Sequence, residues 1–307
     1  MRALVTGGAG FIGSHLVRRL LANGDVVTVI DDLSTGRREN LVGCDAVLIT
    51  RELSRDPIDD VIKRTDAIFH LAAVPSVPRS VAEPLRSHEA AATGTIRLLD
   101  AARGAGVEIF VNSSSSSVYG NVAQPPMRET MPTLPRSPYA VAKLAAEGYT
   151  RVFANLYGMK TVSLRYFNVF GPRQDPTSAY AAAIPRFITS YMRREPPRVY
   201  DDGRQSRDFT YVANVVEANI LAARASQLAG ESINVAAGEP RSVLDLLNAI
   251  AEVFGYWLEP EFFPARPGDI RDSHADISLA RKLLHYEPVT GFPEGLRETI
   301  DWLRGTA

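Results

Sequence analysis

Tyr139 and Lys143 are four residues apart in a stretch whose apolar pattern predicts a helix over Tyr139–Leu156. On a helix this spacing puts both side chains on one face and within reach of each other. A tyrosine hydroxyl, with an ordinary pKa of about 10, is a weak base at neutral pH, but a neighbouring ammonium group favours its phenolate form. The pair therefore predicts general-base chemistry on a hydroxyl of a substrate.

A glycine-rich segment, Thr6–Gly13, follows a predicted strand and opens a predicted helix. Its glycines have the spacing G-x-x-G-x-x-G, at Gly7, Gly10 and Gly13. Because these residues lack side chains, backbone N–H groups can approach a pyrophosphate, and the N-terminus of the following helix adds positive potential. The segment predicts a dinucleotide-binding site.

Asp31 ends the second predicted strand, where a carboxylate accepts hydrogen bonds from the hydroxyls of an adenine ribose. A carboxylate at this position repels a 2′-phosphate, so the sequence predicts NAD rather than NADP. Arg37 and Arg38 are close enough in sequence to leave NADP open. Asp32 is a second candidate for the cofactor site, and an ordinary turn explains it equally well.

These side chains need a scaffold in which the ends of several strands meet. In the first half of the chain, predicted strands alternate with predicted helices: strands at 3–5, 26–30, 46–49, 67–71, 109–112 and 161–166, and helices at 12–21, 93–102 and 139–156. This alternation predicts an α/β fold with a doubly wound parallel sheet. Beyond residue 170 prolines accumulate and the elements shorten, which predicts a smaller, irregular C-terminal substrate lobe. We expect 1–167 to bind the dinucleotide and 168–307 mainly to bind the substrate, with some segments returning to the first domain.

The composition disfavours several other classes of protein. A hydrophobic content of 45% over 307 residues supports a full core, and a net charge of -1 gives no global field that would attract nucleic acid or a membrane. The single cysteine, Cys44, excludes an intramolecular disulfide, and the first residues lack the pattern of a signal peptide. We therefore expect a cytoplasmic protein. The five histidines have no metal-ligand spacing, so no metal is expected.

Several segments together resemble the extended short-chain dehydrogenase/reductase superfamily: Thr6–Gly13, Asp66–Ala73, Ser113–Gly120 and Ser137–Lys143. Three later segments most closely resemble UDP-hexose 4-epimerases: Leu164–Arg173, Ser206–Val212 and Arg266–Asp269. The resemblance spans essentially the whole chain. It implies a Rossmann-type fold, NAD as cofactor, a UDP-sugar substrate, and a homodimer formed through helices that include the one bearing Tyr139. Beyond the residues already named, it implies cofactor contacts from Phe11, Ile12, Leu71, Ala72, Tyr139, Lys143 and Tyr166.

By the same resemblance the catalytic hydroxyl belongs to Ser115. The sugar-nucleotide 4,6-dehydratases of this superfamily carry acids just after that hydroxyl, and related decarboxylases also place a glutamate there. This chain has Ser116 and Ser117 instead. Elimination therefore lacks its acid, and oxidation followed by reduction at C4 remains. We expect Tyr139 to act as the base, Ser115 to hydrogen-bond the oxygen and Lys143 to lower the pKa of the tyrosine, so that the C4 hydroxyl is inverted through a transient 4-keto sugar.

Alternatives remain open at this stage. A UDP-glucuronate 4-epimerase shares some of these features. An NDP-sugar dehydratase is disfavoured by the missing acids beside Ser115, and a non-catalytic NAD-binding sensor by the complete set of Ser115, Tyr139 and Lys143.

The substrate diphosphate needs cationic or N–H partners, and arginine presents a planar fork to phosphate oxygens. Arg207 and Arg266 are the candidates. The resemblance adds Asn168 beside the phosphates, Tyr200 stacked on the uracil and Asp269 on the uridine ribose.

The resemblance also places Ser273 beside the C2 substituent of the sugar. A bulky tyrosine there accompanies restriction to glucose and galactose, whereas a small residue accompanies acceptance of N-acetylated sugars. We therefore expect turnover of UDP-Glc and UDP-Gal, and also of UDP-GlcNAc and UDP-GalNAc.

Overall fold

The computed structural model describes residues 1–121, 124–175, 183–265 and 270–306. Its strands are, in chain order, β1 (Arg2–Thr6), β2 (Val26–Asp31), β3 (Val47–Thr50), β4 (Ala67–His70), β5 (Ile109–Ser115), β6 (Lys160–Tyr166), β7 (Val169–Phe170), β8 (Arg198–Tyr200), β9 (Ser206–Asp208), β10 (Thr210–Tyr211), β11 (Glu231–Val235), β12 (Pro240–Ser242), β13 (Glu261–Phe263) and β14 (Asp272–Ser273).

The α-helices are α1 (Phe11–Ala22), α2 (Asp59–Ile62), α3 (Val77–Ala82), α4 (Pro84–His88), α5 (Gly94–Ala105), α6 (Pro138–Tyr157), α7 (Ala183–Arg193), α8 (Val212–Arg224), α9 (Val243–Phe254), α10 (Ser278–Leu284) and α11 (Phe292–Thr306). Short 3-10 helices lie at Arg38–Leu41 and Ser116–Tyr119, and a π-helical turn lies at Glu89–Thr93.

A seven-stranded sheet forms the centre of the molecule, in the order β11-β6-β5-β4-β1-β2-β3. Every neighbouring pair in it is parallel. The chain moves outward from β1 to β3 and then crosses to β4 on the other side of β1, which makes the sheet doubly wound. The predicted α/β class with a Rossmann-type sheet is confirmed.

Successive side chains of a strand point to opposite faces of this sheet, and helices cover both faces. Val5 and Val111 belong to a core cluster shared with α1 and α8, whereas Leu4 and Phe110 belong to a second cluster shared with α5. The central strands are therefore largely buried, including polar residues such as those of β5, and the C-terminal ends of all seven strands lie along one edge of the sheet.

The later part of the chain builds small sheets that are separate from the central one. One has the order β12-β9-β14, and β13-β8 and β10-β7 are two-stranded. These strands and helices α7, α9 and α11 enclose a core that includes Ile188, Tyr191, Leu247 and Ile300. The predicted irregular C-terminal lobe corresponds to this assembly.

Two later elements return to the first part of the molecule. β11 pairs with β6 at the end of the central sheet, and α8 packs against α1. Both elements come after residue 167 in the chain, and the division into two domains at that residue stays a prediction.

Candidate active site

The loop between β1 and α1 has space only for glycine at two of its three spaced positions. Gly7 has a φ of +70°, and a Cβ built on it would lie 2.7 Å from the backbone nitrogen of Ala72. A Cβ on Gly13 would lie 2.2 Å from the carbonyl oxygen of Gly7. Leu71 and Ala72 follow β4 directly, and the Leu71 N–H donates to the Thr6 carbonyl (3.0 Å). The predicted cofactor residues that follow β1 and β4 therefore lie side by side at the C-terminal ends of these two neighbouring strands.

The N-terminus of α1 opens from this loop. Gly10 is the N-cap and supplies no side-chain cap, and Phe11 and Ile12 form the first turn. That turn has no acidic side chain, so the positive end of the helix suits an anion. The loop and the helix terminus together fit the pyrophosphate of a dinucleotide.

Asp31, the last residue of β2, is held by the same loop. Its carboxylate accepts hydrogen bonds from the backbone N–H groups of Ala9 and Leu33, both at 2.9 Å. Burial raises the pKa of Asp31, and these two bonds oppose that shift. Gly36 approaches so closely that a Cβ on it would lie 2.7 Å from Asp31 Oδ1. The carboxylate is thus fixed at the strand end where the sequence predicts the ribose contact.

The residues around Asp31 favour NAD over NADP. Arg37 pairs with Asp175 (2.8 Å), and Arg38 donates to Thr50 Oγ1 (2.9 Å), so both guanidinium groups have protein partners. Asp32 accepts from the backbone N–H and the hydroxyl of Ser34, at 2.9 and 2.7 Å. This local turn accounts for Asp32, and its contact with the cofactor stays a prediction.

The predicted catalytic residues come from two elements that pack against each other. Ser115 ends β5, and Tyr139 is the second residue of α6. Helix α6 begins at Pro138 because Pro suits the first helical turn and the hydroxyl of Ser137 caps it, accepting from the Ala140 N–H at 3.2 Å. The packing of α6 on β5 then brings Tyr139 to Ser115.

The hydrogen bonds around Ser115 give its hydroxyl a direction. Its Oγ accepts from the N–H of Ser117 (3.2 Å) and from the Ser117 hydroxyl (3.0 Å). The hydroxyl proton of Ser115 is therefore left for another acceptor, and Tyr139 is hydrogen-bonded to Ser115. Lys143, one turn further along α6, donates from Nζ to the Ser113 carbonyl at 2.6 Å. The structure brings the three predicted catalytic residues together.

Burial dominates the electrostatics of this cluster. It raises the pKa of Tyr139, against the hydrogen bond from Ser115, which favours the phenolate. Burial lowers the pKa of Lys143 from 10.5 to about 8, against the attraction of Glu147. Lys143 is therefore still mostly protonated at neutral pH, and its ammonium group lies on the helix face that carries Tyr139.

Tyr166 lies beside this cluster, paired in register with Ser115. Its hydroxyl shares a hydrogen bond with Ser113 Oγ (3.0 Å) and contacts the side-chain amide of Asn219. Burial raises the pKa of Tyr166 to about 12. The Tyr166 hydroxyl therefore contacts the end of β5, and the contact of Tyr166 with the cofactor stays a prediction.

The structure also shows a charged pair that sequence reasoning missed. Glu147 of α6 and Arg165 of β6 are both buried and form an ion pair of 2.7 Å. The signal in the sequence was the position of Glu147, four residues after Lys143 on the same helix face.

The described substrate-site candidates lie in and beside the small sheets. Asn168 has a φ of +35°, and its Nδ2 donates to the Asp208 carbonyl at 3.4 Å. Arg207 on β9 is paired in register with Ser273 on β14, so the predicted phosphate anchor is next to the predicted C2 neighbour. Tyr200 ends β8, with its ring centroid 5.7 Å from that of Phe263. Arg266 and Asp269 lie outside the described residues.

A buried carboxylate organises this region as well. Asp208, next to Arg207, accepts hydrogen bonds from the backbone N–H groups of Ala237 (3.0 Å), Gly238 and Ala275 (3.3 Å). It therefore ties β9 to the end of β11 and to the segment that follows Ser273. Its role was not evident from the sequence, because its partners are far away along the chain.

Within residues that the structure describes, no three or more histidine, cysteine or acidic side chains form a group suited to a metal ion. None of the described helices combines the length and apolar character needed to cross a membrane.

Residues 3–236 match the model of the NAD dependent epimerase/dehydratase family. The chain belongs to this family. The resemblance inferred from the glycine loop and from the Tyr139 and Lys143 segment is thereby confirmed, and so is NAD as the cofactor.

Similar proteins cover essentially the full length of the chain. It is 40% identical over 311 residues to a UDP-glucose 4-epimerase of Mycolicibacterium smegmatis, an alignment that covers 99% of each protein. It is 41% identical to a UDP-N-acetylglucosamine 4-epimerase of Methanobrevibacter ruminantium, solved in complex with UDP-N-acetylmuramic acid, with a TM-score of 0.96 over 100% of this chain and 99% of that one. It is 32% identical to a UDP-glucuronic acid 4-epimerase of Bacillus cereus, solved with UDP-glucuronic acid and NAD, with a TM-score of 0.92 and full coverage of both chains.

Proposed function

We propose that this protein is an NAD-dependent UDP-hexose 4-epimerase, an isomerase that inverts the C4 hydroxyl of the sugar. The observation that carries the proposal is the joined set of Ser115, Tyr139 and Lys143 at the C-terminal edge of the central sheet, followed by Ser116 and Ser117. The set can move a proton to and from a hydroxyl, and the two serines cannot act as the acid of an elimination.

The proton transfer is assigned to Tyr139, which removes the proton of the C4 hydroxyl. Ser115 accepts two bonds from Ser117, and its single hydroxyl proton, which bonds to Tyr139 in this structure, can turn to the sugar oxygen when the substrate binds. Lys143 keeps a positive charge on the helix face of Tyr139 and favours the phenolate. The loop Gly7–Gly13 and Asp31 would hold NAD, which would supply the acceptor and donor of the C4 hydride.

Inversion requires the hydride to return to the opposite face of the sugar. The 4-keto ring must therefore turn between the two steps, so the protein should hold the nucleotide firmly and the hexose loosely. Arg207 and Asn168 are proposed to hold the diphosphate and Tyr200 the uracil. Small Ser273 leaves space at C2, and we propose UDP-Glc, UDP-Gal, UDP-GlcNAc and UDP-GalNAc as substrates.

Product analysis tests this function. The protein is incubated in turn with UDP-glucose and UDP-N-acetylglucosamine, and the products are identified by NMR. We expect the C4 epimers, and a loss of at least about 1,000-fold in turnover in Tyr139→Phe, with UDP binding unchanged. A 4-keto-6-deoxy product, or near wild-type turnover of Tyr139→Phe, contradicts the proposal.

UDP-glucuronate is the second candidate substrate, supported by the likeness to the Bacillus cereus enzyme over the full chain. The same assay includes UDP-glucuronate. If the C4 epimer of glucuronate alone accumulates, the reaction type stands and the preference for neutral hexoses is wrong.

A homodimer is proposed from exposed apolar side chains on three helices that pack beside one another. Helices α3 and α4 pack beside α6, and Val81, Leu85 and Leu156 on these helices are 65, 78 and 70% exposed. Exposed apolar side chains on neighbouring helices suit a helical interface with a second copy. We expect a dimer by sedimentation and a monomer for the double variant Leu85→Glu, Leu156→Glu, and a monomeric wild type contradicts the interface.

We also propose that the protein works in the cytoplasm. Its single cysteine, Cys44, is a free thiol, which suits a reducing compartment. Fractionation of cells that express the tagged protein tests this location, and recovery outside the cytoplasm contradicts it.

A further inference from the structure

A buried carboxylate lies one helical turn beyond Lys143. The side chain of Glu147 is 2% exposed, and its oxygens accept from Ser114 Oγ (2.5 Å) and Ser232 Oγ (3.0 Å). Arg165 adds two further bonds, from Nε (2.9 Å) and from Nη2 (2.7 Å). The carboxylate therefore joins α6 to three neighbouring strands, β5, β6 and β11.

The strand residue that Glu147 contacts lies at the centre of the catalytic cluster. Ser114 lies between Ser113, whose carbonyl accepts from Lys143, and Ser115, whose hydroxyl bonds to Tyr139. Helix α6 thus contacts three successive residues of β5, through Tyr139, Lys143 and Glu147. The contact between Glu147 and Ser114 has no part in the proposed chemistry. It fixes the positions of Tyr139 and Lys143 relative to Ser115 and Ser113.

Arg165 also connects Glu147 to the segment that follows Ser115. It is paired in register with Ser114, and its Nη1 donates to the hydroxyl of Tyr119 at 2.9 Å. The Tyr119 hydroxyl in turn donates to Asn234 Oδ1 at 2.7 Å. The 3-10 helix Ser116–Tyr119, which carries the two bonds from Ser117 to Ser115, is therefore anchored to the same ion pair.

A gain in the stability of the fold does not by itself explain a buried ion pair. Removing two charges from water is expensive, and apolar residues of similar volume often serve a fold equally well. A fully hydrogen-bonded buried pair does fix geometry. Because the pair lies next to the catalytic residues, the geometry that it fixes is that of the catalytic cluster.

We propose that Glu147 is a positioning residue: paired with Arg165, it holds the Ser113–Ser115 end of β5 in register against the helix that bears Tyr139 and Lys143. This inference rests on the proposed function for its kinetic test. It assigns Glu147 no contact with the substrate or cofactor.

The charged and titratable groups near Lys143 determine what the test should show. Tyr139 and Glu147 lie on the same helix as Lys143. His70 lies on β4, and Arg165 and Tyr166 lie on β6. Glu147 raises the pKa of Lys143, and Lys143 helps burial to lower the pKa of His70 to about 3. Removal of the carboxylate charge takes away the attraction of Glu147 for the ammonium group, which lowers the pKa of Lys143 further.

The test variant is Glu147→Gln, which keeps the shape and removes the charge. We expect kcat to fall by about 100-fold, because small misplacements in an active site have effects of this size. KM and UDP binding should stay within about twofold, since Glu147 bonds to Ser114, Arg165 and Ser232 and to none of the residues proposed to hold the UDP. The alkaline limb of the kcat profile should move to lower pH, because Lys143 loses its proton earlier.

Thr150→Val is the matched control. Thr150 is also buried on α6, and its hydroxyl bonds only within the helix, to the Ala146 carbonyl at 2.7 Å. It should lose stability while keeping kcat and the pH profile. If Glu147→Gln fails to fold, Ser114→Ala replaces it, since it removes one bond to the carboxylate, and a smaller fall in kcat with unchanged KM is expected.

A second measurement is independent of epimerase activity. The titration of Tyr139 is followed by NMR in protein labelled with ¹³C at the tyrosine Cζ, in wild type, Glu147→Gln and Thr150→Val. We expect the pKa of Tyr139 to rise in Glu147→Gln, because loss of the positioning of β5 weakens the hydrogen bond from Ser115 that favours the phenolate, and to stay unchanged in the control. An inactive wild type overturns the proposed function while this titration still decides the role of Glu147. The inference is overturned if the tyrosine titration is unchanged, or if Glu147→Gln keeps kcat and the wild-type pH profile.

Discussion

Replacement of Lys143 by Met should make the protein more stable and inactive. Lys143 is 5% exposed, and burial lowers its pKa from 10.5 to about 8. A difference of this size corresponds to a burial cost of about 3 kcal/mol at neutral pH. Met has similar length and no charge, so the variant removes this cost. It also leaves the Ser113 carbonyl without its donor, a loss of about 1–2 kcal/mol, so the net gain at pH 7 is about 1–2 kcal/mol.

The sign of this effect depends on pH in a defined window. Below about pH 8 Lys143 is charged in both the folded and the unfolded chain, so wild type bears the whole burial cost. Between about pH 8 and 10.5 the folded chain loses the proton first, so the unfolded chain binds more protons and wild-type stability rises with pH. The advantage of Lys143→Met should therefore shrink across this window.

Urea unfolding at pH 7 and at pH 9.5 measures the difference directly. Lys63→Met is the matched control, because Lys63 is exposed and should show no comparable gain. The reasoning is refuted if Lys143→Met is less stable than wild type at pH 7, or if its advantage is the same at both pH values.

Three further predictions address the cofactor, the substrate and the scaffold. Asp31→Ala should weaken NAD binding and narrow the preference for NAD over NADP, because it removes the diol acceptor and the repulsion of a 2′-phosphate; an unchanged affinity ratio in titration calorimetry argues against this role. Ser273→Tyr should suppress turnover of UDP-GlcNAc and spare UDP-Glc, and competitive assays that show unchanged discrimination would remove Ser273 from the site. Gly104→Ala should stabilise α5 by about 0.5–1 kcal/mol in denaturant unfolding, since a Cβ there meets nothing within 4 Å, whereas no gain would indicate strain in that turn.

The local parts of this structure could be predicted from sequence patterns. Asp31 ends β2 as expected, and the glycine loop leads into α1. Tyr139 and Lys143 share one helix because the spacing of two residues on a helix fixes their relative direction. Element ends were less accurate: α5 continues to Ala105, where Gly106 ends it with a φ of +70°.

Contacts between distant segments could not be predicted in this way. The pairing of Ser114 with Arg165 depends on the register between β5 and β6, and the return of β11 to β6 depends on a crossing from the C-terminal lobe. Single-sequence periodicity carries neither register nor strand order. Glu147 was visible as a helix residue, but its role required knowledge of which strands lie beneath it.

The most direct test of the central claim follows the hydrogen at C4. UDP-glucose deuterated at C4 is incubated with the protein in ordinary water, and the product is analysed by NMR and mass spectrometry. Hydride removal and return at one carbon predicts UDP-galactose that keeps its deuterium at C4. Loss of the deuterium to water, or a product that is not the C4 epimer, would contradict the account.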